Sequence, residues 1–111
     1  MAEGKFAHVP SLIGTTTNEL VEVIPSTDDI DSNAAVLELA KLNFPYVSLA
    51  TLQQLVSYYP ESGYTNIGPP LSGSEWSRLV AIENDLQMFC PSYAQAVEVS
   101  AVTPVWKCRF T

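Results

Sequence analysis

Two strand-like segments lie near the ends of this chain, and the sequence between them carries helical patterns. Residues 9–15 form a short apolar run rich in β-branched side chains. Residues 103–111 alternate as a strand does, with Trp106, Cys108 and Phe110 on one face. A helix-rich crossover between two strands predicts a parallel pair in an α/β sheet. Because two strands do not make a stable sheet alone, residues 1–111 are expected to form a single incomplete segment.

Two helices are predicted after the first strand, over residues 30–43 and 49–58. Proline ends each of them, since the residue before Pro45 avoids the α region and Pro60 cannot continue a helix. Ser48 can cap the second helix. The expected inward stripes are Ile30, Ala34, Leu37 and Ala40 in the first helix, and Leu49, Leu52, Leu55 and Tyr59 in the second.

A long helical stretch is predicted after a loop at residues 60–73 that is rich in Pro, Gly and Ser. Ser72 and Glu75 have the spacing of a capping box at its start. Pro91 is expected to break or kink the helix, which then continues to about Ala101. Its expected inward stripe is Trp76, Leu79, Ile82, Leu86 and Phe89.

The charge balance argues against two classes of partner. The formal charge is −7, and the five basic residues are scattered. Without a basic stripe, binding to nucleic acid or to an anionic membrane surface is not expected. The acidic cluster Asp28, Asp29 and Asp31 is instead expected near the start of the first helix, where the helix dipole favours negative charge. Charged residues make up only 15% of the chain, which suggests that part of its surface is covered by something else.

Neither a disulfide framework nor a targeting segment is visible in the sequence. Cys90 and Cys108 are two cysteines without metal-knuckle spacing, and we expect both to be reduced and half-buried. A disulfide between them remains an alternative, because their separation cannot be known from sequence. Residues 1–10 have no secretory pattern, and no run approaches the ~20 apolar residues of a membrane span. The chain as written is expected to stay in the cytosol.

Four segments, in order along the chain, carry a family resemblance. They are Phe6–Glu19 (FAHVPSLIGTTTNE), Leu55–Pro60 (LVSYYP), Asn84–Pro91 (NDLQMFCP) and Pro104–Phe110 (PVWKCRF). Together they resemble type-B carboxylesterases, a group that includes fungal lipases and cholinesterases, and the match is closest to fungal members. The family's corresponding patterns are a Val-Pro-x-Leu-x-Gly strand with an Asp-Glu-Gly turn, a helix end L-x-x-x-Y-P, a helix D-x-x-F-x-C-P and a strand V-W-R-Y-R-F.

The resemblance implies part of an α/β-hydrolase fold and a serine-hydrolase ancestry. In that family the triad follows the order Ser, acid, His, and the serine sits in a Gly-x-Ser-x-Gly elbow. This chain has no such elbow, and the family's catalytic His would follow residue 111. The triad acid maps onto Glu19. The expected activity is hydrolysis of an apolar carboxylic ester, without metal or cofactor, only where the missing segments are supplied. Full-length relatives are often secreted.

Three positions depart from the family pattern. Leu20 replaces the usual Gly after the acid, which puts the geometry of that turn in doubt because glycine tolerates backbone angles that leucine does not. Asn18 stands where Asp is frequent, and Cys108 replaces a customary Tyr. In cholinesterase-like members the cysteine matching Cys90 pairs with a cysteine far downstream.

Other chemistry-bearing residues have plainer interpretations. His8 could act as a base toward Ser11 or as a metal ligand, but a lone histidine without patterned partners is expected at the surface. Arg78 and Asp85 do not have i,i+4 spacing and receive no role. Four aromatic residues could line an acyl pocket, although their spacing favours core positions: Trp76, Phe89, Tyr93 and Trp106.

Three hypotheses about function follow. The first is a hydrolase segment that carries the triad acid and is inactive alone. The second is a non-catalytic interaction module of the cholinesterase-like fold, which associates through unpaired sheet edges. The third is an unrelated small α+β domain. No metal and no nucleic acid are expected as partners in any of them.

Overall fold

A computed structural model describes residues 5–25, 29–68 and 72–111 of the chain. Its strands are β1 (Ser11–Thr16) and β2 (Val105–Phe110), and its helices are α1 (Asn33–Asn43), α2 (Leu49–Ser57), α3 (Ser74–Asn84) and α4 (Cys90–Ser100). Single 3-10 turns lie at Glu19–Glu22 and Glu61–Gly63, and a π-helical turn, Asp85–Phe89, separates α3 from α4. The chain is therefore a mixed α/β structure.

The chain divides into two compact units. The first unit, Met1–Glu19 with Asn84–Thr111, contains both strands and α4. The second unit, Leu20–Glu83, contains α1, α2 and most of α3. The expectation that residues 1–111 form one incomplete segment stays a prediction.

The predicted parallel pairing is confirmed. β1 and β2 form a two-stranded parallel sheet in which Leu12 is paired with Trp106 and Gly14 with Cys108. Helix α4 packs against the face that carries Lys107, whose ammonium group donates to Ser92 Oγ at 2.7 Å. Covering one face of a parallel pair with a helix is the arrangement expected of a βαβ connection.

The other face of the sheet, which we call the apolar face, is largely exposed. It carries Leu12, Trp106 and Phe110, whose exposed fractions are 73%, 59% and 64%. Parallel sheets are usually buried on both faces. The prediction that Trp106 is a core residue is therefore wrong for the described chain, because the helix that buries this sheet covers only the opposite face.

A π-helical turn marks the predicted break before Pro91. The N–H of Cys90 donates to the carbonyl of Asp85, an i,i+5 bond that widens the helix by one residue. Pro91 follows within the first turn of α4, where its missing N–H is tolerated. The predicted continuation ends at Ser100, one residue short of Ala101. The helical stretch therefore continues across Pro91 after a widened turn.

In the second unit, α1 begins later than predicted. Ser32 caps it by accepting the N–H of Ala35, so Ile30 is buried ahead of the helix and not within it. The buried stripe runs through Val36 and Ala40, whereas Ala34 is exposed. Phe44 ends α1 as predicted. Asp29 and Asp31 precede the helix, and Asp28 lies outside the described residues.

Helix α2 confirms the predicted Ser48 cap, since Ser48 Oγ accepts the N–H of Thr51 at 3.1 Å. Its buried residues are Leu52 and Val56, whereas Leu49, predicted to face inward, is half-exposed. The helix ends at Ser57, and Leu55 and Tyr59 are half-buried.

The second unit's core centres on Trp76 of α3, which is fully buried. Its indole N–H donates to the Pro25 carbonyl at 3.0 Å. Leu79 and Ile82 are buried on the same helix as predicted, while Leu86 and Phe89, beyond it in the π turn, are half-buried.

Within the described residues, no helix has the length and apolar content to cross a bilayer.

The predicted capping box at Ser72 is wrong. Helix α3 begins at Ser74, and the carbonyl of Gly73 accepts the first intrahelical bond, from the N–H of Ser77 at 3.2 Å. The carboxylate of Glu75 accepts a hydrogen bond from the guanidinium of Arg78 at 2.8 Å. The local spacing was compatible with a capping box, but a stronger charged partner holds the glutamate.

Candidate functional site

The turn that follows β1 places Glu19 at the carboxyl end of the parallel pair. β1 ends at Thr16, and Thr17 is tied to the end of β2 by its N–H and its hydroxyl, which donate to the Phe110 carbonyl at 2.9 Å and 3.0 Å. Glu19 then begins a 3-10 turn. In open α/β sheets, the carboxyl ends of the strands are where binding and catalytic side chains gather.

Two hydrogen bonds hold Glu19 in this turn. Its Oε1 accepts the backbone N–H of Thr16 at 2.5 Å, which folds the side chain back over the strand end. Its own N–H donates to Oδ1 of Asn84 at 3.2 Å. The residue is half-buried, and the Thr16 N–H orients one oxygen of its carboxylate.

Leu20 adopts the backbone conformation of this turn without strain. It lies inside the 3-10 turn, whose residues have negative φ, so the position does not require glycine. Its side chain is buried, and its carbonyl accepts the N–H groups of Val23 and Ile24 at 3.1 Å and 3.0 Å. Leucine at this position is therefore compatible with a regular turn.

Thr15 adds an unusual buried polar group just before this turn. The residue is 5% exposed and is paired with Arg109 across the sheet. Its Oγ1 is the one fully buried side-chain nitrogen or oxygen atom without a hydrogen-bond partner within the described residues. Leaving such an atom unpaired costs free energy, which makes the end of β1 less stable than its packing alone implies.

The other residues singled out from the sequence do not form a site. His8 is exposed, as predicted, and its ring meets the Phe6 ring edge-on at 5.3 Å. Ser11 Oγ donates to the Val9 carbonyl at 3.1 Å. Tyr93 is exposed, so its predicted core position is wrong, although it stacks on Phe89 at 6.4 Å.

Both cysteines are free, in agreement with the expectation of reduced thiols. Cys108 is half-buried as predicted, but Cys90 is exposed. Cys108 shares its face of the sheet with Trp106, whereas α4, which begins at Cys90, packs on the face of Lys107. Both thiols are free, so the alternative of a disulfide between them is wrong for this structure.

Sequence reasoning missed Arg78, which organises the second unit. This residue is 2% exposed, and its guanidinium donates to the carboxylate of Glu75, the side chain of Asn33 and the carbonyls of Val56 and Tyr59. The Val56 carbonyl lies in the last turn of α2, where it also accepts the N–H of Tyr59 at 3.0 Å, and the Tyr59 carbonyl lies just beyond the helix. A glutamate three residues before an arginine in an apolar stripe was the available signal.

A small groove in the second unit lies between α1 and α2. Its volume is about 130 Å³, below the range of drug-sized ligand sites. No charged side chain is among its lining residues Asn33, Leu37, Gln53, Val56 and Ser57. Among residues 5–25, 29–68 and 72–111, no group of three or more His, Cys, Asp or Glu side chains is arranged to hold a metal ion.

No model of a known protein family matches this sequence, and neither a curated protein nor a solved structure matches the chain.

Proposed function

We propose that this chain is a segment of a serine carboxylic-ester hydrolase in which Glu19 is the acid of the catalytic triad. The observation that carries the proposal is the position of Glu19 in the turn after β1, at the carboxyl end of a parallel strand pair. The resemblance of Phe6–Glu19 to the acid-bearing strand and turn of type-B carboxylesterases supports the same assignment.

The bonding of Glu19 suits the task of a triad acid. Such a carboxylate holds an imidazole in the productive tautomer and stabilises the imidazolium that forms when the histidine takes the proton of the serine. With Oε1 engaged by the Thr16 N–H, the second oxygen, Oε2, is the atom proposed to accept the imidazole N–H. The serine and the histidine would come from segments that join this chain in the complete hydrolase, so the isolated chain is inactive.

The first test is to read the transcript on both sides of this chain. The proposal expects an in-frame Gly-x-Ser-x-Gly segment upstream and a His-bearing segment downstream. A start at Met1 and a stop after Thr111 in the mature transcript would contradict an active hydrolase.

The second test measures ester hydrolysis by the complete hydrolase and its Glu19→Gln variant. We expect kcat to fall by roughly four orders of magnitude, as when the acid of a Ser-His-Asp triad is neutralised. Glu22→Gln is the matched control, because Glu22 is an exposed residue of the same turn. An unchanged kcat in Glu19→Gln would contradict the assignment of Glu19 as the triad acid. Saturable turnover by the isolated chain would contradict the proposal that other segments supply the serine and the histidine.

A second candidate function is a non-catalytic interaction module, which the exposed apolar face favours. This candidate expects the isolated chain to form a defined complex that depends on the apolar face. Sedimentation velocity of the wild type and of Trp106→Thr tests it, since a specific complex is lost in the variant. A monomer at all concentrations would favour the hydrolase segment.

A further inference from the structure

The backbone of Glu19 is bound to a residue far away in the sequence. The N–H of Glu19 donates to Oδ1 of Asn84 at 3.2 Å across 65 positions. Asn84 is itself buried, at 5% exposure. A buried amide that binds a single distant peptide fixes that peptide's position, because moving either group leaves a polar atom unpaired.

The Asn84 side chain does not cap the helical turn that follows it. Asn84 is the last residue of α3, has αR backbone angles, and directly precedes the π turn, which it does not cap through its side chain. Asparagine is a poor helix former because its side chain competes for nearby backbone groups. Its presence inside this helical stretch is accounted for by the long-range bond to Glu19.

We propose that Asn84 is a positioning residue that holds the peptide of Glu19 so that its carboxylate stays at the carboxyl end of β1. The inference rests on the proposed role of Glu19 as triad acid. Two bonds then restrain the same residue from different sides, one on the side chain from Thr16 and one on the backbone from Asn84. A neutral amide supplies the acceptor without placing a second negative charge beside the carboxylate.

Amide hydrogen exchange in the isolated chain tests the bond directly, by NMR at the Glu19 N–H. We expect Asn84→Ala to speed exchange roughly tenfold, as for the loss of one hydrogen bond. Asn84→Asp retains an acceptor oxygen and should stay near the wild-type rate. Gln95→Ala is the control, since Gln95 is an exposed amide on α4. If Asn84→Ala unfolds the chain, Asn84→Leu removes the acceptor and keeps the branched shape of the side chain.

Unchanged exchange at Glu19 in Asn84→Ala or Asn84→Leu would overturn the inference. So would Asn84→Asp exchanging tenfold faster than wild type, because that variant keeps the acceptor. These outcomes do not depend on whether the complete hydrolase is active.

Steady-state kinetics of the complete hydrolase separates positioning from a general structural role. Asn84→Ala should lower kcat at least tenfold with little change in KM, and Asn84→Asp should recover part of the loss. If Glu19→Gln abolishes activity while Asn84→Ala leaves kcat unchanged, the positioning role fails and the proposed function stands. If Glu19→Gln leaves kcat unchanged, the proposed function fails, and with it the role of Asn84 in positioning a triad acid.

Discussion

The guanidinium of Arg78 donates through Nε to the carbonyl of Tyr59 at 2.6 Å. Through this bond, and a second one to the Val56 carbonyl at 3.2 Å, α3 supplies the positive charge that the last turn of α2 lacks in its own sequence. Cations near a helix C-terminus bind its unpaired carbonyls and interact favourably with its dipole. Arg78 is therefore a tertiary cap for α2 and a buried partner for Glu75.

We expect Arg78→Met to lower the free energy of unfolding by about 3 kcal/mol or more, because it leaves the Glu75 carboxylate buried without its cation. Urea denaturation followed by Trp76 fluorescence, in a Trp106→Phe background, measures the second unit. Glu61→Gln is the control, since Glu61 is exposed and 3.9 Å from Arg78. Its effect should stay within about 0.5 kcal/mol. Equal effects of the two substitutions would contradict a capping role for Arg78.

Gly68→Ala should destabilise the second unit by about 2 kcal/mol, the scale of overpacking in a filled core. A Cβ at this position would lie 2.8 Å from Trp76 Cη2 and closer still to Cζ3 of the same ring, which is fully buried and cannot move aside. Gly63→Ala is the matched substitution, because a Cβ there would meet only Pro60 Cγ at 3.9 Å. The same fluorescence-detected unfolding applies, and a neutral Gly68→Ala would mean that the indole has room to shift.

Thr15→Val should raise the free energy of unfolding by about 1 kcal/mol. The substitution replaces a buried hydroxyl that lacks a hydrogen-bond partner with a methyl group of nearly the same size. Thr16→Val, on the exposed neighbour in the same strand, should change stability by less than about 0.5 kcal/mol. Urea unfolding monitored by far-UV circular dichroism compares the two. A destabilised Thr15→Val would show that the hydroxyl has a partner in solution.

Trp106→Thr should change the stability of the isolated chain by no more than about 0.5 kcal/mol, because the indole is exposed on the apolar face. Val99→Thr, at a buried position of α4 in the same unit, should cost more than about 1 kcal/mol. In the complete hydrolase that we propose, the Trp106 substitution should become strongly destabilising if another segment covers the apolar face. Equal effects in both proteins would mean that this face stays open.

Several boundaries were predictable because they depend on near neighbours in the chain. Ser48 caps α2 through the N–H of Thr51, and Phe44 ends α1 just before Pro45. The period-two pattern of residues 103–111 and the helical crossover were enough to predict a parallel partner for residues 9–15. The resemblance of Phe6–Glu19 placed Glu19 after that strand, where the structure has it.

Burial was predicted less well, because the side of an element that is covered depends on what packs there. Trp76 and Trp106 both occupy apolar stripes of their elements, yet one is fully buried and the other is 59% exposed. In α1 the buried stripe passes through Val36 and not through Ala34. Periodicity identifies an apolar side, but the rotation of a helix is set by its neighbours.

Local rules of capping, proline chemistry and alternation were sufficient for the strands and for several helix ends, since each involves residues a few positions apart. The parallel pairing joins distant residues, such as Leu12 and Trp106, and it was predicted from the helical crossover between the two strands. The roles of Arg78 and Asn84 arose from contacts between distant segments: Arg78 with the end of α2, and Asn84 with the peptide of Glu19. A charged or polar side chain acquires such a role only when folding removes it from water and leaves it a small set of partners. Which partners those are is decided by packing in three dimensions.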